Sequence, residues 1–312
     1  MRWTPQPADP LHFWIGLAPR SWPVGEGLWV DLARGGLGTA SKVSHEIPEQ
    51  WPGEPPAEVV YLPSVPEDLE GRRSGLVASL VGIGAPVLVQ ARAGAVPGVD
   101  PRWVVFDPLE ALLAGNLELL KDLPSDSRVM WPLIAGLTDD RGQWEKGLAA
   151  LASAGVKHVQ PLALALDPAS KRRLVERAGE ETFDSLFHGV SPSERSFSSL
   201  AAERGFGPFL PRPLPTMGAN RENKKLAEQL SIAGELWLRV GRSESGGQNL
   251  FRSARWVDRE SHDLSALCRE GNLGVFPWLD STSSQVITDF VTTGAASLVQ
   301  ELEQEYLGGP RT

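Results

Sequence analysis

The fold of this chain is decided by residues 129–166, VMWPLIAGLTDDRGQWEKGLAALASAGVKHVQPLALAL. The apolar run VMWPLIAG ends at Gly136, and a second apolar run, VKHVQPLALAL, follows Gly155. Both runs have the length of buried strands, and the segment between them has the pattern of a helix. Two strands that are joined through a helix of this length pair in parallel, with a right-handed crossover. The stretch therefore predicts a strand, a turn, a helix and a second strand.

The predicted helix has a start signal and an apolar face. In the turn LTDD, Thr138 or Asp139 can accept a hydrogen bond from the first free backbone N–H groups of a helix. Trp144, Leu148 and Leu151 follow at the i, i+4, i+7 spacing that places side chains on one helical face. These signals predict an amphipathic helix that ends at Gly155.

The same alternation of strands and helices continues through most of the chain from residue 58. About eight strand candidates fall between residues 58 and 280, which favours a parallel sheet covered by helices. We therefore predict an α/β fold with a parallel (β/α)8-like or partial TIM barrel, and an open doubly wound sheet is the alternative. No GxGxxG motif follows a strand, which disfavours a dinucleotide site. The predicted strands outside the opening stretch include EVVYLPSV (58–65), APVLVQARAG (85–94), RWVVFDP (102–108), ELWLRVGR (235–242) and GVFPWLD (274–280), and GGQNLFRSARW (246–256) is predicted as a loop.

The composition of the chain indicates where its domains divide and which classes of partner are disfavoured. Residues 1–56 are rich in Pro, Gly and Trp, and we predict an N-terminal segment that packs on a barrel domain of residues 57–312, with one strand in GLWVDLARGG. The net charge of −9 disfavours nucleic acid and anionic membranes as partners. No apolar run is long enough for a membrane helix, and the first 20 residues lack the pattern of a secretory signal.

The single cysteine, Cys268, limits the redox chemistry of the chain. One thiol cannot form a disulfide, a cysteine zinc site or a cysteine-held iron–sulfur cluster within one chain. Cys268 lies in the amphipathic pattern DLSALCREG, which indicates a structural thiol rather than a nucleophile. We expect a cytoplasmic protein without a cofactor and without a bound metal.

The stretch PLIAGLTDD, with the helix end and strand LASAGVKHVQPLAL, resembles the later half of radical-SAM partial barrels, and the likeness is closest to the spore photoproduct lyase type. In that family, a P-I-P-G-x-x-D strand and loop precede a helix that ends in A-G and a further strand. Position 135 is Ala where the family has Pro, and the likeness covers about 40 residues well. The matching residues are Pro132, Ile134, Gly136, Asp139, Ala154 and Gly155.

The resemblance implies a scaffold but not the chemistry of that family. The family holds its [4Fe–4S] cluster with three cysteines in a C-x3-C-x2-C loop, and this chain has one cysteine in another region. The resemblance therefore implies a degenerate barrel that has lost the cluster and, with it, the reductive cleavage of S-adenosylmethionine.

Candidate functional residues follow from the predicted barrel, since working groups lie at the C-terminal ends of its strands. A basic set among the later segments can form a pocket for a phosphate or carboxylate, or a solvated surface paired with nearby acids. This set comprises Arg212, Arg239 and Arg242 and, in the predicted loop at 246–256, Arg252 and Arg255. The predicted ligand-binding residues are Arg92, Gln160, Arg212, Arg239 and Arg242.

A second set combines carboxylates with a histidine, which can bind a divalent metal or perform acid–base catalysis. Each carboxylate also stands where a helix begins, so a capping role is the alternative and is favoured. No HExxH, GxSxG or P-loop pattern identifies a reaction. The candidates of this set are Asp107, Asp139, His188 and Asp280.

Three functions fit these observations. The first is a non-catalytic, cluster-less barrel that binds a small anionic ligand or a partner protein, and the sequence favours it. The second is a cluster-independent enzyme that acts on a phosphorylated or carboxylated small molecule. The third is a scaffold whose Trp- and Pro-rich first 56 residues dock a partner protein.

Overall fold

The computed structural model describes most of the chain as two compact units, which are treated separately. The sheet unit lies within residues 27–211, and the helical unit covers residues 221–308. The predicted boundary at residue 57 falls outside the described residues and stays a prediction. The structure describes residues 27–31, 36–39, 42–44, 59–62, 70–83, 87–92, 104–125, 127–163, 168, 171–172, 175–176, 179–184, 193–211 and 221–308.

The sheet unit alternates strands and helices. Strands β1 to β8 span Gly27–Asp31, Gly36–Thr39, Lys42–Ser44, Val59–Leu62, Val87–Arg92, Val104–Asp107, Arg128–Leu133 and His158–Ala163. Helices α1 to α4 span Glu70–Gly82, Leu109–Leu113, Arg141–Ser153 and Glu194–Glu203, and 3-10 turns span Leu117–Asp122 and Glu180–Thr182.

All eight described strands belong to one sheet, in the order β3-β2-β1-β4-β5-β6-β7-β8. Strands β1 and β4 to β8 pair in parallel, whereas β2 and β3 extend the sheet beside β1 in antiparallel pairs. A parallel bridge between His158 and Gly207 continues the pairing beyond β8. The predicted α/β fold with a parallel sheet is confirmed, as is the strand in GLWVDLARGG.

The stretch that opens the sequence analysis forms β7, α3 and β8, in the parallel arrangement that was predicted. The N-cap of α3 is Asp140, whose side chain accepts a hydrogen bond from the backbone N–H of Gln143. The prediction of Thr138 or Asp139 as the cap was therefore wrong by one or two residues. Trp144 lies on the buried face of α3, as its spacing predicted, and Gly155 follows the helix with a φ of 79°.

The core of the sheet unit centres on Trp131 of β7. This side chain is fully buried, and its ring lies 5.2 Å from that of Phe197 in α4, which in turn contacts Trp144 edge-on at 5.3 Å. Gly147 of α3 lies directly on the Trp131 ring: a β-carbon there would fall 2.9 Å from Cζ3 and still closer to Cη2. The absence of a side chain at residue 147 therefore sets how closely α3 approaches the sheet.

The helical unit contains no strand among its described residues. Helices α5 to α9 span Arg221–Arg239, Glu244–Arg259, Leu264–Arg269, Ser281–Thr293 and Ser297–Gly308, and a 3-10 turn spans Leu273–Val275. The predicted strands at 235–242 and 274–280 were wrong, since the first lies mainly in α5 and the second in turns. The predicted loop at 246–256 was also wrong, because it is part of α6.

Gly234 explains the first of these errors. The strand predicted at 235–242 starts directly after Gly234, but Gly234 lies inside α5 and packs closely against α6. A β-carbon at Gly234 would lie 3.2 Å from the carbonyl oxygen of Gly247, and one at Gly247 would lie 3.3 Å from that of Gly234. The two glycines thus mark a close approach of two helices rather than a helix end.

We expect Gly147→Ala to lower the free energy of unfolding by about 1–3 kcal/mol, since the added methyl group overlaps the Trp131 ring. Gly75→Ala is the matched control because Gly75 is an exposed residue of α1 with nothing within 4 Å of an added β-carbon. It should raise the free energy of unfolding by about 0.5–1 kcal/mol through helix propensity. Urea denaturation followed by circular dichroism measures both, and equal effects of the two variants would contradict the packing argument.

Candidate functional site

The sheet carries polar side chains on one of its two faces. Ala91, Phe106, Val129, Trp131 and Val159 point to one face and form the core with the helices. Successive strand residues point to opposite faces, and paired residues of parallel strands share a face. The residues between these core positions therefore define a second face, which we call the polar face: Gln90, Val105, Asp107, Arg128, Met130 and Gln160.

The polar face is buried although it carries amides and charges. Gln90, Asp107 and Gln160 are each 5–6% exposed, and Arg128 is 8% exposed. Parallel strands that are covered by helices on both sides are normally apolar on both faces. A buried polar face is therefore a feature that needs a structural or a functional reason.

Asp107 ends β6 and is fixed by two contacts. Its Oδ1 accepts a hydrogen bond from the backbone N–H of Leu109, at the start of α2, at 2.9 Å. Its Oδ2 accepts a longer one, of 3.4 Å, from the side-chain amide of Gln90. The backbone carbonyl of Gln90 accepts a hydrogen bond of 2.7 Å from the buried guanidinium of Arg73. The Asp107 carboxylate thus stabilises a helix start and is also part of a buried polar group.

Gln160 lies on the polar face two strands away from Asp107, about 10 Å across the sheet at the usual strand spacing. Its Oε1 accepts a hydrogen bond of 3.2 Å from the backbone N–H of Leu210, in the segment that follows α4. The oxygen of this amide is therefore occupied by the backbone, and its orientation follows from that contact. The predicted ligand residue Arg92 lies in β5, where its backbone pairs with that of Asp107 in β6.

The opposite end of the polar face holds Arg128 and His158, which are direct partners at the starts of β7 and β8. Arg128 donates a hydrogen bond of 2.8 Å from Nε to the carbonyl of Pro211. Burial, helped by the charge of Arg128, lowers the pKa of His158 below its usual value, against a hydrogen bond to the backbone of Phe209. Nδ1 of His158 is buried beside Gly207 and has no hydrogen-bond partner. This end of the sheet is a packed structural region.

Two predicted catalytic carboxylates are occupied in local structure. Asp139 accepts a hydrogen bond of 2.8 Å from the backbone N–H of Gly136, within the turn after β7. Asp280 is the N-cap of α8 and accepts one of 2.7 Å from the backbone N–H of Ser283. The contact of Asp280 confirms the capping role that was favoured for it, whereas Asp139 holds a turn and the cap of α3 is its neighbour Asp140.

Two predicted ligand-binding arginines lie in or beside α5 rather than at the end of a strand. Nε of Arg239 donates to Glu235 at 2.8 Å, and Nη1 donates to the hydroxyl of Tyr306 at 3.0 Å. Arg239 thereby connects α5 to α9.

Arg242, just after α5, makes the same connection in a more exposed position. Its Nη2 donates to Glu301 at 2.6 Å and to Glu305 at 2.8 Å, and its guanidinium lies 5.1 Å from the ring of Trp237. The hydrogen bond to Glu301, with Glu305 adding to it, raises the pKa of Arg242. These contacts pair both guanidinium groups with acids of the helical unit: Arg239 with Glu235 of α5, and Arg242 with Glu301 and Glu305 of α9.

The structure thus brings together part of the predicted site. Within the sheet unit, Arg92 and Asp107 lie on adjacent strands and Gln160 lies two strands further on. The helical unit holds Arg239, Arg242 and Asp280. His188 and Arg212 lie outside the described residues, so their roles stay predictions, and the side chain of Arg92 is outside them as well.

Sequence reasoning missed Asn223, which fixes the connection between α6 and α7. Its side-chain amide donates to the carbonyls of Glu260 and His262 at 2.9 and 2.7 Å, and its oxygen accepts from the backbone N–H of Leu264 at 3.0 Å. Asn223 is buried, and all its partners are about 40 residues away in sequence. No local pattern marks such a residue, because its contacts exist only after the helices pack.

The described residues contain neither a cluster of metal ligands nor a membrane-spanning helix. No group of three or more His, Cys, Asp and Glu side chains there is arranged to hold a metal ion. None of the helices within the described ranges combines the length and the apolar character of a membrane span.

Comparisons with known proteins give no relative for this chain. No protein-family model, no curated protein and no solved structure matches it.

The lowered pKa of His158 predicts a pH-dependent stability. The unfolded chain binds a proton near pH 6.5 that the folded chain binds only at lower pH, so the folded state loses stability as the pH falls through that range. We expect His158→Gln to remove this contribution. As the pH is lowered from 8 to 5.5, the melting temperature of the variant should therefore rise relative to that of the wild type. A difference between the two melting temperatures that stays constant with pH would contradict a lowered pKa of His158.

Proposed function

We propose that the sheet unit is an incomplete parallel barrel that binds a small anionic ligand on the polar face, at the C-terminal ends of β5 to β8. The observation that carries this proposal is the buried polar face itself, with Gln90 and Asp107 on adjacent strands and Gln160 two strands beyond Asp107. Ligand sites of parallel α/β proteins lie at these strand ends.

The strand order supports a barrel-like winding over a doubly wound sheet. Strands β4 to β8 are neighbours in chain order, and the bridge at Gly207 adds a further position in the same direction. Right-handed crossovers in one direction place all helices on the same face of a sheet. The other face then becomes the interior of a barrel, where polar side chains of a binding site are expected.

The proposed relation to radical-SAM partial barrels rests on the sequence likeness within residues 132–155 and on the β7-α3-β8 unit that these residues form with their flanks. With a single cysteine in the chain, this relation implies a protein without the cluster and without its chemistry. A binding function is therefore proposed ahead of a catalytic one. The single cysteine also favours a reducing compartment, and we propose a cytoplasmic location.

The residues at the strand ends suit an anion of the phosphate or carboxylate class. Gln160 provides an amide whose oxygen is occupied by Leu210, so that its NH2 group is the part left to meet a ligand. Arg92, which follows Gln90 in β5 by two residues, is the cation that we propose for this site. Asp107 is the one described carboxylate on the polar face, and it opposes an anion electrostatically.

Two substitutions that change charge with little change in shape test the site, with inorganic phosphate and malonate as probes. Gln160→Glu keeps the acceptor for Leu210 but adds a negative charge, and we expect it to weaken binding about tenfold or more. Asp107→Asn keeps the acceptor for Leu109 but removes a charge, and we expect tighter binding. Isothermal titration calorimetry and ligand-dependent melting temperatures measure both effects.

Matched controls come from the helical unit. Gln248→Glu changes an exposed side chain of α6, and Asp263→Asn changes the N-cap of α7 to a residue that also caps well. Neither should change the affinity for phosphate or malonate. Equal effects of site and control variants, or no binding of either probe by the wild type, would overturn the proposal.

The second candidate is an enzyme that acts on a phosphorylated or carboxylated small molecule. The observation that favours it is the orientation of the Asp107 carboxylate, which Leu109 and Gln90 hold at a strand end as a general base requires. The same Asp107→Asn variant separates the two candidates, because a base is needed for turnover but not for binding.

A further inference from the structure

The helical unit carries an exposed surface of aromatic rings and arginines. We call it the aromatic–arginine patch and define it as Arg252, Arg255, Trp256, Arg259, Phe276 and Trp278. The patch combines one side of α6 with the turn before α8. It includes none of the residues that the proposed anion site uses.

The rings of the patch form a continuous row. Trp256 stacks on Trp278 with ring centroids 6.1 Å apart and an angle of 29° between the planes, and Phe276 packs against Trp278 at 5.2 Å. Trp256 is nevertheless 52% exposed, and Val275 beside Phe276 is 65% exposed. Burying so large an indole stabilises a protein, so a stacked pair that leaves half of Trp256 exposed indicates a surface that is covered by something else.

The arginines of the patch are exposed cations without acids of their own. Residues 252, 255, 256 and 259 follow the i, i+3, i+4, i+7 spacing, so the three guanidinium groups flank Trp256 on one side of α6. Within the described residues, none of the three makes an ion pair, whereas Arg239 and Arg242 of the same unit are paired with glutamates. The patch is therefore a local excess of positive charge on a chain of net charge −9.

The turn that presents Phe276 and Trp278 is held in place by its own hydrogen bonds. The backbone N–H of Leu279 donates to the carbonyl of Phe276 at 3.0 Å, and Asp280 caps the following helix. The rings are thus fixed before any partner binds, which lowers the entropy that binding must overcome.

We propose that the aromatic–arginine patch binds an acidic segment of a partner protein. Tryptophan and arginine are the side chains most enriched among the residues that dominate protein–protein binding energy. Three unpaired guanidinium groups are complementary to carboxylates and give the patch a preference for an acidic segment. A nucleic acid is the less favoured occupant, because three cations on an acidic chain neutralise too few phosphates for firm binding.

The test uses the full chain and a fluorescein-labelled peptide of about ten residues that contains glutamates, two prolines and one tryptophan. We expect saturable binding in a fluorescence anisotropy titration and at least about tenfold weaker binding by Trp256→Ala and by Arg255→Glu. Phe183→Ala and Arg72→Glu are the matched controls, since they change an exposed ring and an exposed arginine of the sheet unit. The controls should bind the peptide as the wild type does.

Three outcomes would overturn the proposal. The first is that the wild type does not bind the acidic peptide in preference to the same peptide with lysine in place of glutamate. The second is an equal loss of binding in the control variants, which would indicate a general charge effect. The third is tighter binding of a thymidine oligonucleotide of similar length that is lost in Trp256→Ala, which would assign the patch to single-stranded nucleic acid.

Discussion

The contact between the Trp131 ring and the backbone of Gly147 is the constraint on which the sheet unit depends. Trp131 fills the space between β7, α3 and α4, and the missing side chain at residue 147 lets α3 lie against that ring. Trp144 completes the arrangement, because its indole nitrogen donates to the carbonyl of Thr138 at 2.7 Å and ties the helix to the turn after β7. These contacts therefore fix the turn, the helix and the strand relative to one another.

This packing determines which side chains lie on the other face of the sheet. With the helices packed on the face that carries Trp131 and Phe106, the alternate residues of β5 to β8 face away from them. Those residues are an amide in the middle of β8, a carboxylate at the end of β6 and an arginine at the start of β7. A sheet that needed only stability would carry apolar residues there, so the polar face is the feature of this sheet that packing alone does not explain.

The sequence was sufficient wherever the signals were local. Residues 129–166 carry a cap, a spaced apolar face and a terminal glycine, and the strand, helix and strand formed as predicted. The errors fall where tertiary contacts override local preference. The run ELWLRV has the composition of a strand, but it continues the buried side of α5 through Leu236, and Gly234 serves helix packing.

The candidate site was likewise predictable only where it depends on local sequence signals. Asp107 and Gln160 were identified from strands that exist, so the structure places them on one face of one sheet, although only Asp107 lies at a strand end and Gln160 lies within β8. Arg239 and Asp280 were identified from strands that do not exist, and both make contacts of ordinary helices. Asn223 could not be identified at all, because an amide inside a helical pattern has no local signature for contacts 40 residues away.

The arginines of the helical unit show how far residue type alone can mislead. Arg239 and Arg242 were grouped with a predicted anion pocket, yet their charges are satisfied by Glu235, Glu301 and Glu305. Arg252 and Arg255 were grouped with the same pocket and assigned to a loop, but they lie in α6, where the helical spacing around Trp256 gives them a common surface with Arg259. Five similar side chains thus divide into two groups according to which helix face they occupy and which acids lie within reach. A guanidinium that has a carboxylate partner stabilises a fold, and one without a partner is available to another molecule.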